Sequence, residues 1–524
     1  MAVQARALLV HPADDVAVLL SPALVAGTEV PVADRGVFVT RQAITSGHKI
    51  ALRQIAAGEP VKKYGQPFGR ATRAIQPGEH VHTHNVETML GANEKYVWVN
   101  GGPHPFPLPP SGKGTHAGGK GVGASFRGYV RADGRVGVRN ELWVLCTVGC
   151  INRAAEEVAR QAHAKYAKEF GGPVDGVYAF THPYGCAQIG SDLLQTRRAL
   201  AALAAHPNCG GVLLMGLGCE NNVLQEQVAA FRCADQNRVR YFSAQDTHDE
   251  VEEAVGLLGE LAVVCANDVR REVPASRLVL GMKCGGSDGF SGLTGNPLVG
   301  VLSDRLAAWG GTSILTEVPE MFGAERLLMQ RTPDEKTFHE VETLINDFKD
   351  YFRRYNEPIS ENPAPGNKAG GITTLEEKSL GCIQKGGAVA PVRHVLPYGV
   401  PLSLDDLAGG GGIALASGPG NDAVSCTTLA MAGAQMVLFT TGRGTPFGTC
   451  VPTLKISTNS DLASRKPHWI DFDAGRLVDQ GIPLGTLGDE LQALVLAVAS
   501  GETLTRNEIN GYREIALFKD GVTT

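Results

Sequence analysis

Between Asn100 and Ser125 the chain is dense in glycine and proline and nearly devoid of aliphatic side chains (NGGPHPFPLPPSGKGTHAGGKGVGAS). Such a stretch has too little apolar surface to offset the entropy of ordering it. It therefore reads as a linker, residues 100–125, with His104 and His116 in solvent. Whatever folds on either side must carry its own hydrophobic pattern. At 524 residues the chain is in any case too long for one core, since a domain takes about 150 residues.

The two sides have different grammars. Residues 1–99 hold short apolar runs (AVLL, GVFVT, HKIAL, HVHTH) separated by Gly, Pro and Asp, the pattern of a small β-rich unit. From Phe126 onward, strand-like runs lead through glycine-bearing loops into helical patterns. LWVLCTVGC precedes INRAAEEVARQAHAKYAKEF, GVYAF precedes AQIGSDLLQTRRALAALA, and GVLLMGLGC precedes ENNVLQEQVAAF. This repetition predicts parallel β-α units with helices covering the sheet. A polar helix over 334–355 ends before a second Pro/Gly-rich link, ENPAPGNKAGG. The expected division is thus one α/β domain over 126–356 and a second over 357–524. The fold class is α/β, a small N-terminal β-rich domain joined to a large body of parallel β-α units.

Charge and apolar patterning exclude several classes. With 48 basic against 54 acidic residues the net charge is −6, so no concentrated basic face is expected and no nucleic-acid partner. No apolar run approaches the roughly 20 residues that span a bilayer. The first residues show no sustained apolar segment with a cleavage site, so the expected compartment is the cytoplasm. Eleven cysteines, an odd count over a long chain, do not form a disulfide framework. The motifs GxxxxGK[ST] and HExxH are absent, and GLGCEN lacks the third glycine of a dinucleotide fingerprint.

Three constellations carry chemistry. The first is Glu79-His80-Val81-His82-Thr83-His84. On a strand His80, His82 and His84 would share a face and converge on a divalent cation, although a polar strand edge would also read this way. His48-Lys49 adds a fourth nitrogen or an acid/base pair. The second comprises Cys150, Cys186, Cys219 and Cys284, each following a predicted strand. The carboxyl ends of parallel strands line the ligand crevice, so these thiols are an alternative site for iron or an iron–sulfur cluster, or else small buried residues. The third consists of glycine-rich loops, CGGSDG around Asp288, GPGND around Asn421, and GRGT around Arg443. Backbone N–H groups there favour an anion, and Arg443 suits a carboxylate.

Taken in order, GHKIALRQIAAGEPVKKYGQPFGRA, GEHVHTHN, GRVGVRNELWVLCTVGC, THPYGCAQ, GLGCENN, KCGGSDGFSGLTGNP, TEVPEMFGAE, NPAPGNKAGGITTLEEKSLG, PGNDAV and TTGRGTPFG resemble the altronate/galactarate dehydratase family over essentially the whole chain. HVHTHN and EMFGAE tilt the resemblance towards the altronate branch. The resemblance implies that the N-terminal unit is SAF-like, and that the chain is a hydro-lyase dependent on a divalent metal, Fe2+ or Mn2+. The implied reaction is dehydration of D-altronate to 2-dehydro-3-deoxy-D-gluconate and water in hexuronate (galacturonate) catabolism. Removing the C2 proton beside a carboxylate creates a dianionic enediolate, which needs strong electrostatic stabilisation, and a base and an acid must serve C2 and the C3 hydroxyl.

On this resemblance His82 and His84 are expected as metal ligands and His48 as a third ligand or acid/base group. Lys49 or Lys63 would be the base or hold the substrate carboxylate. Arg139, Asn140, Asp288, Asn421 and Arg443 are expected to bind substrate. The expected partner is a small sugar acid, with a homo-oligomer open and no membrane partner. Competing readings are a galactarate dehydratase or sulfo-lyase, an iron–sulfur hydro-lyase, and a non-enzymatic sugar-acid sensor.

Overall fold

The computed structural model describes residues 5–91, 95–98, 123–231 and 235–521. Most of the expected linker, with His104 and His116, lies outside the described residues. Among the described residues no helix is long and apolar enough to cross a membrane.

The N-terminal unit is built of short antiparallel strands. One sheet orders Ala7–Leu8, Val16–Leu19, Lys49–Ala51 and His80–Val81; a second orders Pro60–Lys63, Gln66–Ala71 and Val86–Glu87; Glu29–Val32 and Gly36–Val39 form a hairpin. Alternation drives this. Val30 and Val32 are buried while Glu29 and Pro31 are exposed, as a half-buried strand requires. One set of apolar residues, including Leu19, Val30, Ile44 and Ile50, closes the unit's own core. Another, including Val16, Ile55, Phe68, Ile75 and Val81, runs on into the core of the large body. The unit is therefore packed against the body through continuous apolar burial, a term of about 25 cal/mol per Å2.

Two parallel sheets make up the rest. The first orders Gly176–Phe180, Glu141–Cys146, Cys209–Gly216 and Val239–Ser243. Its two central strands, Glu141–Cys146 and Cys209–Gly216, are buried on both faces. Trp143, Leu145, Val212 and Leu214 face one core, and Leu142, Val144, Leu213 and Met215 face another, which explains their unbroken apolar runs. An antiparallel ribbon of Ser125–Val130 with Arg271–Pro274 ties the entrance of this domain to its exit. The second sheet has seven strands in the order Val392–Leu396, Gly412–Ala416, Thr312–Leu315, Val279–Cys284, Met436–Thr441, Thr453–Ser457 and Phe472–Asp473, all parallel.

This topology corrects the expected boundary after residue 356. Val279–Cys284 and Thr312–Leu315 pair with strands that come after it, so that boundary would cut one hydrogen-bonded sheet. The sheets divide instead between Val239–Ser243 and Val279–Cys284. Several local readings hold. The polar helix runs Glu335–Arg354, with the Asp334 side chain accepting from Thr337 N. The helix Leu484–Ser500 stops at Gly501, whose φ is +74°, the left-handed cap glycine favours.

Candidate active site in the interdomain cleft

The N-terminal unit meets the body where three backbones cross. Gly289 N donates to Gly370 O at 2.7 Å, and a methyl group on Gly289 would lie 2.0 Å from the carbonyl oxygen of Gly47. Only glycine permits that approach. The crossing brings the segment 47–49 of the N-terminal unit against the loops 285–289 and 369–373 of the body.

Directly behind it lies a buried charge cluster. Lys49 Nζ donates to Glu377 Oε2 at 2.9 Å and to Gly371 O at 2.6 Å. Lys63 Nζ donates to Glu377 Oε1 at 2.9 Å, and Thr373 N donates to Glu377 Oε2 at 2.8 Å. All three charged side chains are at most 2 % exposed. Burial would raise the Glu377 carboxyl, but the two ammonium groups outweigh it and hold it at about 2. Burial pulls Lys49 down to about 8, against the pull of Glu377. Lys63 is raised, because Glu377 outweighs its burial. Two ammonium groups against one carboxylate leave one net positive charge under the cleft.

Above that charge sit four imidazoles. The His48 ring centroid lies 5.0 Å from His80 and 4.8 Å from His82; His80 lies 5.5 Å from His82 and 5.1 Å from His84. His48 Nδ1 and His80 Nε2 are 2.9 Å apart, and His48 Nε2 is 3.2 Å from Ala369 O. His82 Nδ1 contacts Thr373 Oγ1 at 3.1 Å. Burial first, then the neighbouring imidazoles and Lys49, depress His80 to about 3; burial, then Lys49 and His48, depress His82 to about 4. Burial also lowers His48 and His84. All four rings are therefore neutral near pH 7, the form that can donate a lone pair to a cation or accept a proton.

The expected strand through His84 is corrected. Only His80–Val81 is a strand; Asn85 N and Val86 N both donate to His82 O, closing a turn. The turn, not alternation, gathers the rings. His84 reaches His80 alone, and His80, with three ring neighbours, is the centre of the group.

A second buried cluster lies deeper in the body. Glu317, Glu320 and Cys382 offer ligand atoms within 4.8 Å of one another. Lysines already occupy the carboxylates: Lys283 and Lys385 bond Glu317, the latter at 2.6 Å, and Lys378 meets Glu320 at 2.7 Å. A dication there would sit among three ammonium groups, which oppose it. Cys284 joins this cluster through its backbone N, which donates to Glu317 Oε2 at 3.2 Å, and its Sγ lies 2.8 Å from Ser287 Oγ. A hydrogen bond with Cys382, opposed by burial and helped by Lys385, holds its thiol well below the usual range. Between the clusters lies a cavity of about 10 Å3 lined by Lys63, Tyr64, Cys284, Asn296 and Glu377 among others, room for about one water.

Other expected site residues are placed elsewhere. Arg139 is committed to Glu508, at 2.7 and 3.0 Å, and to the carbonyls of Val138 and Val498. Asn140 is committed to Arg131 and to Cys265 O. Neither reaches the cleft; both hold the first parallel sheet to its surroundings, which corrects the substrate-binding expectation. Asp288 is beside the cleft, but its carboxylate accepts from Ser291, Thr458 and Asn459, so its observed role is to brace the glycine-rich loop. Asn421 caps the helix Asp422–Met431, and Gly420 O accepts from Lys283. Arg443 is exposed on a loop tied to Gly286. Cys284 is buried on the seven-stranded sheet, whereas Cys150, Cys186 and Cys219 are exposed at the first sheet, so Cys284 does not share a site with the other three. Gly285-Gly286-Ser287-Asp288-Gly289 has the GxSxG spacing, but the hydrogen-bond partner of the Ser287 hydroxyl is Cys284, with no histidine base on it among the described residues.

Glu377, Glu317, Glu320, Cys382 and Lys385 were not singled out by the sequence. Glu317, Glu320 and Glu377 lie within the strings TEVPEMFGAE and NPAPGNKAGGITTLEEKSLG, but nothing local shows that Leu375–Cys382 has all eight residues buried.

Three family models match successive parts of the chain. The Altronate/galactarate dehydratase SAF domain matches residues 5–89. The D-galactarate dehydratase/Altronate hydrolase second domain matches 128–266. The D-galactarate/Altronate dehydratase C-terminal domain matches 275–523. The chain is 47% identical to an altronate dehydratase of Bacillus subtilis, covering 92% of each chain. It is 48% identical to an altronate dehydratase of Escherichia coli, covering 98% of this chain and 99% of the relative. It is 32% identical to the galactarate dehydratase (L-threo-forming) of Escherichia coli, covering 98% and 97%.

Proposed function

The chain belongs to the D-galactarate/altronate dehydratase family, and from that premise we propose that it is a hydro-lyase converting D-altronate to 2-dehydro-3-deoxy-D-gluconate and water. The observation that carries the choice of substrate is the gap between 47–48% identity to two altronate dehydratases and 32% to a galactarate dehydratase, over comparable lengths.

The cleft suits this chemistry. Elimination of water from a 2,3-dihydroxy acid needs a base for the C2 proton, an acid for the C3 hydroxyl, and positive charge where the enediolate develops. The imidazole group supplies neutral nitrogen bases at pH 7. The net positive charge of Lys49, Lys63 and Glu377 lies behind them, in a region of low dielectric where it favours a developing anion. Because their third partner is a carboxylate, the two lysines act as positioning residues: they anchor Glu377, hold the segment after His48 against the body and keep the imidazoles neutral.

The imidazoles also fit a divalent cation. Their donor nitrogens are neutral, Thr373 Oγ1 orients His82 through Nδ1 and leaves Nε2 for a ligand, and imidazole suits iron. His80 and His82 are the ligands we assign, with His84 at the rim and His48 as third ligand or proton carrier. When bound, Fe2+ or Mn2+ would add Lewis-acid stabilisation of charge on the substrate carboxylate. Arg443 and the Asn421 loop are our candidates for the distal hydroxyls.

A keto-acid assay over a panel of aldonates and aldarates, with Fe2+, Mn2+ or chelator, tests this reading. Turnover of altronate well above galactarate, abolished by chelator, is expected. Preference for galactarate would move the chain to the other branch. Binding of sugar acids without turnover in metal-supplemented protein would favour a sensor.

A further inference from the structure

Among the described cysteines, Cys146, Cys265, Cys284, Cys382, Cys426 and Cys450 are buried and Cys209 is partly buried; Cys150, Cys186 and Cys219 are exposed. Cysteine is among the most buried residue types, so three exposed thiols are unusual singly. They are also not scattered. Each follows the carboxyl end of one of three adjacent strands, Glu141–Cys146, Gly176–Phe180 and Cys209–Gly216, in the order 176–180, 141–146, 209–216. Each is preceded by glycine, in VGC, YGC and LGC.

The loops that carry them are stitched together. Gly149 N donates to Tyr184 O at 2.8 Å, and Asn222 N to Gly185 O at 3.1 Å. Ala187 N donates to Asn221 Oδ1 at 2.8 Å, and Asn222 Nδ2 to Thr147 O at 3.2 Å. A methyl group on Gly185, whose φ is +99°, would lie 2.1 Å from Thr147 O, and one on Gly149 would lie 2.9 Å from His182 O. Ala187, next to Cys186, takes a left-handed φ of +52°, a strained state for a residue with a side chain and of the kind that collects at functional sites. The fold spends glycines and strain on bringing three thiols to one sheet edge.

We propose that Cys150, Cys186 and Cys219 together bind an iron–sulfur cluster, three thiolates holding three irons of a [4Fe–4S] unit and the fourth iron taking a non-protein ligand. Binding of a preassembled [4Fe–4S] unit, with two ferric and two ferrous irons, exchanges three of its labile ligands for three thiolates and releases three thiol protons to solvent, so that no electron transfer is required. Side chains nearby leave thiolates as the protein ligands. His182 is used at both nitrogens, by Tyr184 N and by Cys146 O. The Glu220 carboxylate is used by Thr147 Oγ1, Leu217 N and Gly218 N. Neither is therefore free to serve as the fourth protein ligand that a closed structural zinc site takes. Gln245 Nε2 lies 3.7 Å from Cys219 Sγ, a donor of the kind that tunes such clusters. The hydroxyl and carboxylate oxygens of a hydroxy acid are the class of ligand the open iron would accept. The site is separate from the imidazole cleft, and its test does not depend on altronate turnover.

The full chain, purified without oxygen and reconstituted with equal parts of ferrous and ferric iron and with sulfide, provides the test. We expect about four iron and four acid-labile sulfide per chain with broad visible absorption. Each of Cys150→Ser, Cys186→Ser and Cys219→Ser should lose most of the sulfide and the absorption, with circular dichroism unchanged. Cys209→Ser and His82→Ala, which lie off the three loops, should keep both. Wild-type protein that binds no labile sulfide, or that takes up zinc in its place, overturns the proposal. So does a triple serine variant that keeps the absorption.

Discussion

Lys49 and Glu377 stand 328 positions apart in the chain and meet at 2.9 Å with neither side chain more than 2 % exposed. The pair joins the N-terminal unit to the body at the point where the imidazoles are presented. Removing one member of a buried pair strands the other in a medium that cannot solvate it.

Glu377→Gln should therefore be the most costly single change at the cleft, because it leaves two ammonium groups uncompensated. A loss of about 3–5 kcal/mol in urea denaturation is expected, with turnover falling alongside. Lys63→Met, which leaves Lys49 to pair with Glu377, should cost clearly less. Equal midpoints for the two variants would contradict the shared-carboxylate arrangement.

Metal affinity distinguishes the imidazoles from the deeper carboxylates. His80→Ala and His82→Ala should each weaken Fe2+ or Mn2+ binding at the cleft by about tenfold or more. Glu320→Gln should leave that affinity nearly unchanged. Titration with Mn2+, followed by electron paramagnetic resonance, reads this directly; the reverse ranking would place the cation among Glu317, Glu320 and Cys382.

The backbone crossing predicts an outcome for a single methyl group. Gly289→Ala puts a carbon 2.0 Å from Gly47 O, so the N-terminal unit must shift to accommodate it. Overpacking of this kind costs about 1–3 kcal/mol, and kcat should fall further than the fraction folded, since His48 moves with Gly47. Wild-type kcat in this variant would show that the crossing does not set the site.

Glu508 carries a pH signature away from the cleft. Burial would raise its carboxyl, but Arg139 and Arg513 outweigh that and hold it at about 2, below the ordinary 4.5. Its stabilisation is therefore complete above pH about 4.5 and is lost as pH falls towards 2. Glu508→Gln should be destabilised by about 3 kcal/mol at pH 6, and the gap to wild type should close steadily between pH 4.5 and 2.5. A gap independent of pH in that window would mean that the loss comes from packing.

Much of the architecture could be read from local pattern. The runs LWVLC and GVLLMG became strands buried on both faces, and their neighbours became helices, because period and turn chemistry are properties of a few consecutive residues. His48, Lys49, Lys63 and His82 were legible as candidates for the same reason: reactive side chains crowded into a small β unit. Arg139 misled because an arginine in a motif looks the same whether it grips a ligand or, as here, Glu508.

What the amino-acid order determined was the β-rich unit, the parallel β-α grammar and the stock of imidazoles, thiols and lysines. Tertiary structure alone decided which of them meet. His80 became the centre of the rings through a turn closed on His82 O, Glu377 became the partner of two lysines more than 300 positions away, and Cys284 parted from the three exposed thiols because its strand joined a different sheet. The physical reason is that local propensity acts over a few residues, whereas burial and charge pairing are settled only when distant segments exclude water together.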